Sequence, residues 1–245
     1  IDWKVQPDIP QDTRSDLSTY PDLIAQLLYN RGIRNHSQAK DFLSKSPISH
    51  DPLLMPGMKA AIERIRRAID DKEHISIYGD FDVDGISGTA LLSRALGKVG
   101  AKITPYIPDR TKDGHGISLR ALDHLKSEGV TLLVTVDCGI SSRIEIEQAL
   151  GKGIDTVVTD HHIPPKELPR AYAIVDHQLS GSLYPFQSLT GSGTALKVAQ
   201  ALYDSLGKTL PSGLISLASL GTVADVAPLI NENRSIVKLG LEEIR

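Results

Sequence analysis

The chain has 245 residues, of which 40% are hydrophobic and 23% are charged, and its formal net charge is −3 at pH 7. This composition is ordinary for a globular protein with a sizeable core, and it excludes a chain dominated by low-complexity sequence. The single cysteine, Cys138, excludes an internal disulfide framework, and no apolar run approaches the roughly 18 residues of a membrane span. We therefore expect a cytoplasmic protein without a membrane partner.

The first 57 residues are polar, and we expect them to form a helical N-terminal extension. Two short helices are predicted between Tyr20 and Leu43, with Gly32 ending the first and Asn35 near the start of the second. From Met58 onward, apolar residues recur at helical spacing, which predicts an amphipathic helix. Its opposite side carries arginines such as Arg64, which we expect to face solvent.

From residue 74 onward, short apolar segments alternate with segments of helical periodicity. Strands are predicted at residues 74–80, 101–108, 130–137, 154–160 and 170–176. Continuous apolar strands separated by helices are typical of a parallel sheet that is covered on both faces. The predicted fold class is therefore α/β, with a parallel β-sheet of about five strands flanked by helices over residues 58–234.

The two ends of the sequence suggest a piece of a longer protein. Residue 1 is Ile1 rather than methionine, and the last residues belong to a predicted helix. We therefore expect residues 235–245 to begin a linker helix that leads to a further domain.

Acidic and imidazole side chains follow three of the predicted strands. They are Asp80, Asp82 and Asp84 after the first strand, Asp137 after the third, and Asp160, His161 and His162 after the fourth. Ligands of open parallel sheets bind beyond the carboxyl ends of the strands, so these groups are expected at one edge. A single aspartate after a strand usually caps a helix or forms a turn, but that explanation fits all three positions poorly.

The aspartates after the first strand also match the beginning of an EF-hand calcium loop. That loop requires a glutamate at its twelfth position and a helix in front, whereas this sequence has Leu91 there and a predicted strand in front. Carboxylates together with imidazole favour manganese over calcium, and a single cysteine disfavours a structural zinc site. Several carboxylates and one or two histidines can hold two ions, an arrangement that activates water for phosphoester hydrolysis.

Four segments resemble, in order, motifs I to IV of the DHH phosphoesterase superfamily, and most closely those of its RecJ family of single-strand-specific exonucleases. The segments are "YGDFDVDG", "TVDCG", "TDHHIP" and "SLGTVADVAPL". The resemblance implies a centre of two Mn²⁺ or Mg²⁺ ions, with Asp137 as the candidate for bridging them. The implied metal ligands are Asp82, Asp84, Asp137, His161 and Asp225.

Other residues follow from the same resemblance with less specific roles. Asp80 is expected close to the metals as a ligand or beside one, and His162 against the phosphate or the leaving oxygen. Asp160 is expected to orient either the following turn or a histidine. Arg110 is a candidate phosphate contact, and His115 in the same loop replaces an expected tyrosine. Further candidate contacts to phosphate or nucleic acid are Gly191 and Gly193 at a helix N-terminus and Lys197 one turn later; the alternatives are close packing for the glycines and a solvated side chain for the lysine. His177, after the last strand, either approaches the site or forms a turn.

The resemblance implies 5′-to-3′ hydrolysis of single-stranded DNA in DNA repair and recombination. The implied partners are single-stranded DNA and a helicase or single-strand-binding protein, with the chain itself as a monomer. Two alternatives stay open, namely a phosphohydrolase of small molecules or short oligonucleotides and a non-catalytic replication scaffold. Because the C-terminal domains of RecJ-like proteins do not appear in these residues, we expect metal binding but poor processing of long DNA.

Overall fold

The computed structural model describes residues 4–44 and 47–245, which form two compact units, one up to Pro47 and one from Ile48. The described part of the first unit has helices α1 (Gln11–Asp16), α2 (Asp22–Asn30) and α3 (His36–Leu43). The side chain of Asn35 accepts the amide of Gln38, which fixes the start of α3 where the sequence predicted it. Leu17, Leu28 and Ala39 lie in a small hydrophobic core of this unit.

The second unit is an α/β domain built on a five-stranded parallel sheet, which confirms the predicted fold class. The sheet order is β2-β1-β3-β4-β5. Its strands are β1 (His74–Gly79), β2 (Lys102–Tyr106), β3 (Leu132–Val136), β4 (Asp155–Thr159) and β5 (Ala173–Val175). A 3-10 helix at Pro52–Leu54 precedes the helices α4 (Met58–Asp70), α5 (Val83–Lys98), α6 (Leu119–Ser127), α7 (Arg143–Gly151), α8 (Gly191–Ser205), α9 (Leu214–Ala224) and α10 (Asn231–Ile244).

Helices cover both faces of the sheet, and the central strands β1, β3 and β4 are therefore almost entirely buried. Every residue of β3 is buried. Ile77 and Val134 pack into a cluster with apolar residues of α4, α5 and α8, whereas Tyr78, Leu133 and Val158 pack against α6 and α7. Among the described residues, no helix is both long and apolar enough to cross a lipid bilayer.

The unit boundary differs from the predicted division of the chain. Residues 48–57 belong to the second unit, where the amide of Ile48 donates to Ser235 at 2.8 Å and that of His50 donates to Glu232 at 2.8 Å. The predicted boundary between residues 234 and 235 falls inside α10, which packs on α9. Hydrogen bonds between segments far apart in the chain explain both differences, and local sequence patterns do not reveal such bonds.

Arg64 of α4 is buried, which corrects the expectation of a solvent-facing side chain. Its guanidinium lies 2.7 Å from a carboxylate oxygen of Glu73 and 2.7 Å from one of Asp155 at the start of β4. Two carboxylates therefore compensate its charge. The arginine thereby ties α4 to the end of the sheet opposite the acidic edge.

Candidate active site

The carboxyl ends of β1, β3 and β4 lie side by side and carry Asp80, Asp137 and Asp160 in their first following positions. Three groups of side chains near this edge each have potential ligand atoms within 4.8 Å of one another. The groups are Asp137, His161 and His162; Asp84, His161 and Asp225; and Asp80, Asp82 and Asp137. Because Asp137 and His161 each belong to two groups, the seven side chains form one continuous cluster.

The N-terminus of α8 holds Asp84 in this cluster. Asp84 is buried in the first turn of α5, and its two carboxylate oxygens accept the amides of Gly191 at 2.6 Å and Ser192 at 3.0 Å. The positive end of a helix favours an anion at this position. The anion here is a side chain of the protein itself, whereas the sequence left open a phosphate contact or close packing at Gly191. The amide of Gly193 donates to Thr190, the N-cap of α8, at 3.1 Å.

His161 lies against two carboxylates, that of Asp137 after β3 and that of Asp84 in the first turn of α5. Its Nε2 is 2.9 Å from Asp137 Oδ1 and 3.9 Å from Asp84 Oδ2. Burial works against protonation, but the contact with Asp137 and the charges of Asp137 and Asp84 raise the pKa of His161 to about 9. Burial, opposed by the contact with His161, and the charge of Asp84 raise the pKa of Asp137 to about 7. The two side chains therefore form an ion pair when His161 is protonated and Asp137 is ionised.

Asp160 orients His162, as the sequence predicted for the residue before the histidines. Asp160 Oδ1 lies 2.7 Å from His162 Nδ1, while Oδ2 accepts the amide of Ile140 at 2.9 Å. Burial disfavours the carboxylate, but the hydrogen bonds from His162 and Ile140 hold the pKa of Asp160 below its ordinary value. The hydrogen bond to Asp160 raises the pKa of His162 in turn. Asp160 thus fixes Nδ1 of His162 and shifts the ring toward its protonated form.

The donor set of the cluster fits a hard divalent cation. Asp80 Oδ1 is buried without a hydrogen-bond partner among the described residues, and Asp137 Oδ1 has the contact with His161 but no aligned donor. Burial, together with the negative charges of neighbouring aspartates, raises the pKa of Asp80 and also that of Asp225. Carboxylate oxygens with one or two imidazoles are ligands suited to Mn²⁺ or Mg²⁺. A cation in the cluster would compensate these charges.

The affinity of the cluster for Mn²⁺ is expected to rise with pH. Below its pKa of about 9, His161 carries a proton in the metal-free protein, and a metal ion binds only the neutral imidazole. Release of this proton makes the affinity about tenfold higher for each pH unit between roughly pH 7 and pH 9, and below pH 7 the proton on Asp137 steepens the dependence. Isothermal titration calorimetry with Mn²⁺ in buffers of different ionisation enthalpy measures both quantities. An affinity that does not change with pH would contradict the proton release.

Comparison with known proteins assigns this domain to a family. The family model described as "DHH family, N-terminal domain" matches residues 74–222, which is more than half of the chain. The chain belongs to the DHH family. The match includes β1 to β5 and all of the cluster residues except Asp225, which follows three residues later.

The DHH-family chain is similar to several single-stranded-DNA-specific exonucleases named RecJ. It is 43% identical to the one from Bacillus subtilis over 99% of the chain, and 36% identical to the one from Thermus thermophilus over 88%. Each match covers 31% of the relative, so the chain spans about a third of these two proteins.

Two solved structures of RecJ with manganese share the fold of the DHH domain. A crystal structure of exonuclease RecJ bound to manganese has a TM-score of 0.70 and 37% identity, covering 82% of this chain and 49% of that one. RecJ from Thermus thermophilus in complex with Mn²⁺ has a TM-score of 0.74 and 32% identity, covering 95% and 32%.

Near the DHH cluster, a loop after β2 places aromatic and basic groups over Phe81. The ring of His115 lies 4.5 Å from that of Phe81 and its Nδ1 lies 3.8 Å from Asp80 Oδ2, while the guanidinium of Arg110 lies 5.2 Å from the Phe81 ring. Arg110 is thus close to the cluster without belonging to it. A cavity of about 470 Å³ opens beside this loop, and it is lined by residues that include Asp80, His115, Ile117, Ile140 and Glu145.

Lys197 does not lie at the DHH cluster, which corrects its expected contact with phosphate. Its side chain is buried, and its ammonium lies 2.6 Å from Glu232 Oε1 and donates to the carbonyl of His50 at 2.7 Å. His177 is also completely buried, and burial lowers its pKa to about 4. Both side chains are therefore parts of the interior.

Gly221 supports the DHH cluster, although it was not among the residues predicted from the sequence. A Cβ atom at this position would lie 2.2 Å from Asp84 Oδ1 and 2.2 Å from Ser192 Oγ. Only glycine lets α9 approach the carboxylate so closely. A signal was present, because Gly221 belongs to the same segment as Asp225, "SLGTVADVAPL".

Proposed function

We propose that this chain is the catalytic core of a metal-dependent phosphodiesterase that degrades single-stranded DNA from its 5′ end. The observation that carries the proposal is the continuous cluster at the sheet edge, in which Asp137 and His161 are each shared between two potential ligand groups. The names of its relatives supply the substrate class, since they are single-stranded-DNA-specific exonucleases. Their greater length makes the DNA substrate of this chain a proposal rather than a finding.

The metal ligands in this proposal are Asp82, Asp84, Asp137, His161 and Asp225, with Asp80 beside them. Two bound divalent ions would supply water activation and charge stabilisation for in-line displacement at phosphorus. The chain's own residues hold these ligands in place: the α8 amides fix Asp84, and Asp82 accepts the amide of Gly85 at 3.0 Å as the N-cap of α5. The shared position of Asp137 supports its assignment as the bridging ligand.

His162 and Arg110 have the geometry to act on the substrate. Asp160 fixes Nδ1 of His162, so the other nitrogen of its exposed ring can donate to a phosphoryl or leaving oxygen when the ring is protonated. Arg110 lies over the ring of Phe81, where its charge can attract the DNA backbone. The adjoining cavity has the volume for one terminal nucleotide.

The proposed activity is tested with Mn²⁺ and three substrates of different class. We expect hydrolysis of a 5′-phosphorylated single-stranded oligonucleotide, a short one first because it needs few contacts outside the cluster, and little hydrolysis of pyrophosphate or of duplex DNA. Asp137→Asn removes the shared carboxylate charge and should abolish the activity, whereas Asp123→Asn at the protein surface should leave it unchanged. Activity on pyrophosphate alone would instead identify a small-molecule phosphohydrolase, and no Mn²⁺ binding would favour a scaffold.

We further propose a cytoplasmic location, a monomeric chain, and a helicase or single-strand-binding protein as a partner. The single cysteine, which suits a reducing compartment, supports the location. The partner rests only on the resemblance to RecJ. Light scattering of the purified chain tests the monomer, and a second scattering experiment with a single-strand-binding protein tests the partner.

A further inference from the structure

His161 stands in a segment without regular secondary structure, so side chains must fix its main chain. Residues 160–172 contain no helix or strand. The amide of His161 donates to Asp160 Oδ1 at 2.8 Å, and its carbonyl accepts a short hydrogen bond from the side-chain amide of Gln178. Both polar groups of the His161 main chain are thus held by side chains from the ends of two neighbouring strands.

Gln178 is itself fixed by the turn that follows β5. The amide of Gln178 donates to Asp176 Oδ1 at 2.7 Å, a side-chain turn of the kind aspartate often forms. Asp176 and the intervening His177 are both completely buried. The amide of Asp160 donates to the carbonyl of Val175 at 3.1 Å, which joins this turn to the end of β4. Hydrogen bonds therefore hold the turn from which the side chain of Gln178 reaches His161.

We propose that Gln178 is a positioning residue for the metal cluster, because its side chain fixes the main chain from which His161 reaches Asp137 and Asp84. The inference rests on the proposed function of His161 as a metal ligand. It goes beyond that function because it assigns a role to a residue outside the four motifs. Residues that orient a metal ligand typically change metal affinity by about 10- to 100-fold when they are substituted.

Gln178→Met tests this inference, because methionine has a similar length but cannot donate a hydrogen bond. We expect Mn²⁺ to bind about tenfold more weakly by calorimetry. We also expect faster hydrogen exchange of the His161 amide in the metal-free protein, with a melting temperature close to that of the wild type. Gln187→Met is the matched control, since Gln187 also donates its side-chain amide to a main-chain carbonyl, that of Tyr184 at 2.7 Å.

A second variant separates the lost donor from a change of charge. Gln178→Glu keeps the shape of the side chain but replaces the donor by a carboxylate, which would repel the His161 carbonyl. If positioning is the role of Gln178, the His161 amide exchanges faster in both variants. Mn²⁺ affinity equal to that of the wild type in Gln178→Met would overturn the inference while leaving the proposed function intact. Absence of Mn²⁺ binding in the wild-type protein would instead refute the proposed function.

Discussion

Replacing Gly191 with alanine is expected to lower kcat/KM for the oligonucleotide by about 100-fold, because it displaces two proposed metal ligands together. The new Cβ would lie 2.4 Å from Asp137 Cβ and 2.8 Å from Asp137 Oδ1. To relieve this overlap, either Asp137 moves or α8 shifts, and a shift of α8 also moves the amides of Gly191 and Ser192 that hold Asp84. Steady-state kinetics and Mn²⁺ calorimetry measure the effect.

Gly97→Ala is the matched control for this substitution. Gly97 lies on the exposed side of α5, and a Cβ there would meet only Ile103 Cδ1 at an ordinary 3.6 Å. Alanine in a helix interior is favoured over glycine by up to about 1 kcal/mol, so this variant should be at least as stable and fully active. Full activity of Gly191→Ala would show that the cluster tolerates a displacement of Asp137.

Replacing Lys197 with methionine is expected to reduce the free energy of unfolding by about 3–5 kcal/mol. The substitution leaves Glu232 buried without its counter-charge, although His50 and Tyr184 still donate to it. Such a loss is a large part of the roughly 5–15 kcal/mol by which a typical domain is stable. Urea unfolding monitored by circular dichroism measures it, with Lys208→Met, at an exposed site, as the control.

The same variant decides between two roles for Lys197. Because the lysine lies in the interior, the molecules that remain folded should bind the oligonucleotide with an unchanged KM. Adding Glu232→Gln removes the second charge, and the double variant is expected to be more stable than Lys197→Met alone. A wild-type stability combined with a raised KM would instead support the phosphate contact that the sequence suggested.

The sheet and its acidic edge could be predicted because the relevant information is local in the sequence. Three of the five strands, β1, β3 and β4, are each followed directly by an aspartate of the edge, as with Asp80 and Asp137, and parallel strands bring such positions together. The predicted ligands Asp82, Asp84, His161 and Asp225 all lie in the cluster. Their roles as ligands remain proposals that metal binding must test.

The environments of the charged residues away from the edge could not be predicted in this way. From the sequence, Lys197 and Arg64 were predicted to face solvent or substrate. In the structure each is buried against a carboxylate from a distant part of the chain, Glu232 for Lys197 and Asp155 for Arg64. Gln178 acts through a hydrogen bond to a main-chain carbonyl, and such a bond has no sequence pattern. These features depend on tertiary packing, which single-sequence periodicity does not encode.

The backbone conformation of Asp137 limits which amino acids can occupy this position after β3. Asp137 has a φ of 60°, in the left-handed region that costs most side chains about 1–2 kcal/mol and that aspartate, asparagine and glycine adopt more readily. Backbone geometry and metal chemistry therefore select at this position by separate criteria. Asparagine meets the first criterion but lacks the carboxylate charge, glutamate has the charge but not the backbone preference, and aspartate has both. A substitution of Asp137 therefore violates at least one of the two requirements, although each requirement alone would allow another residue at this position.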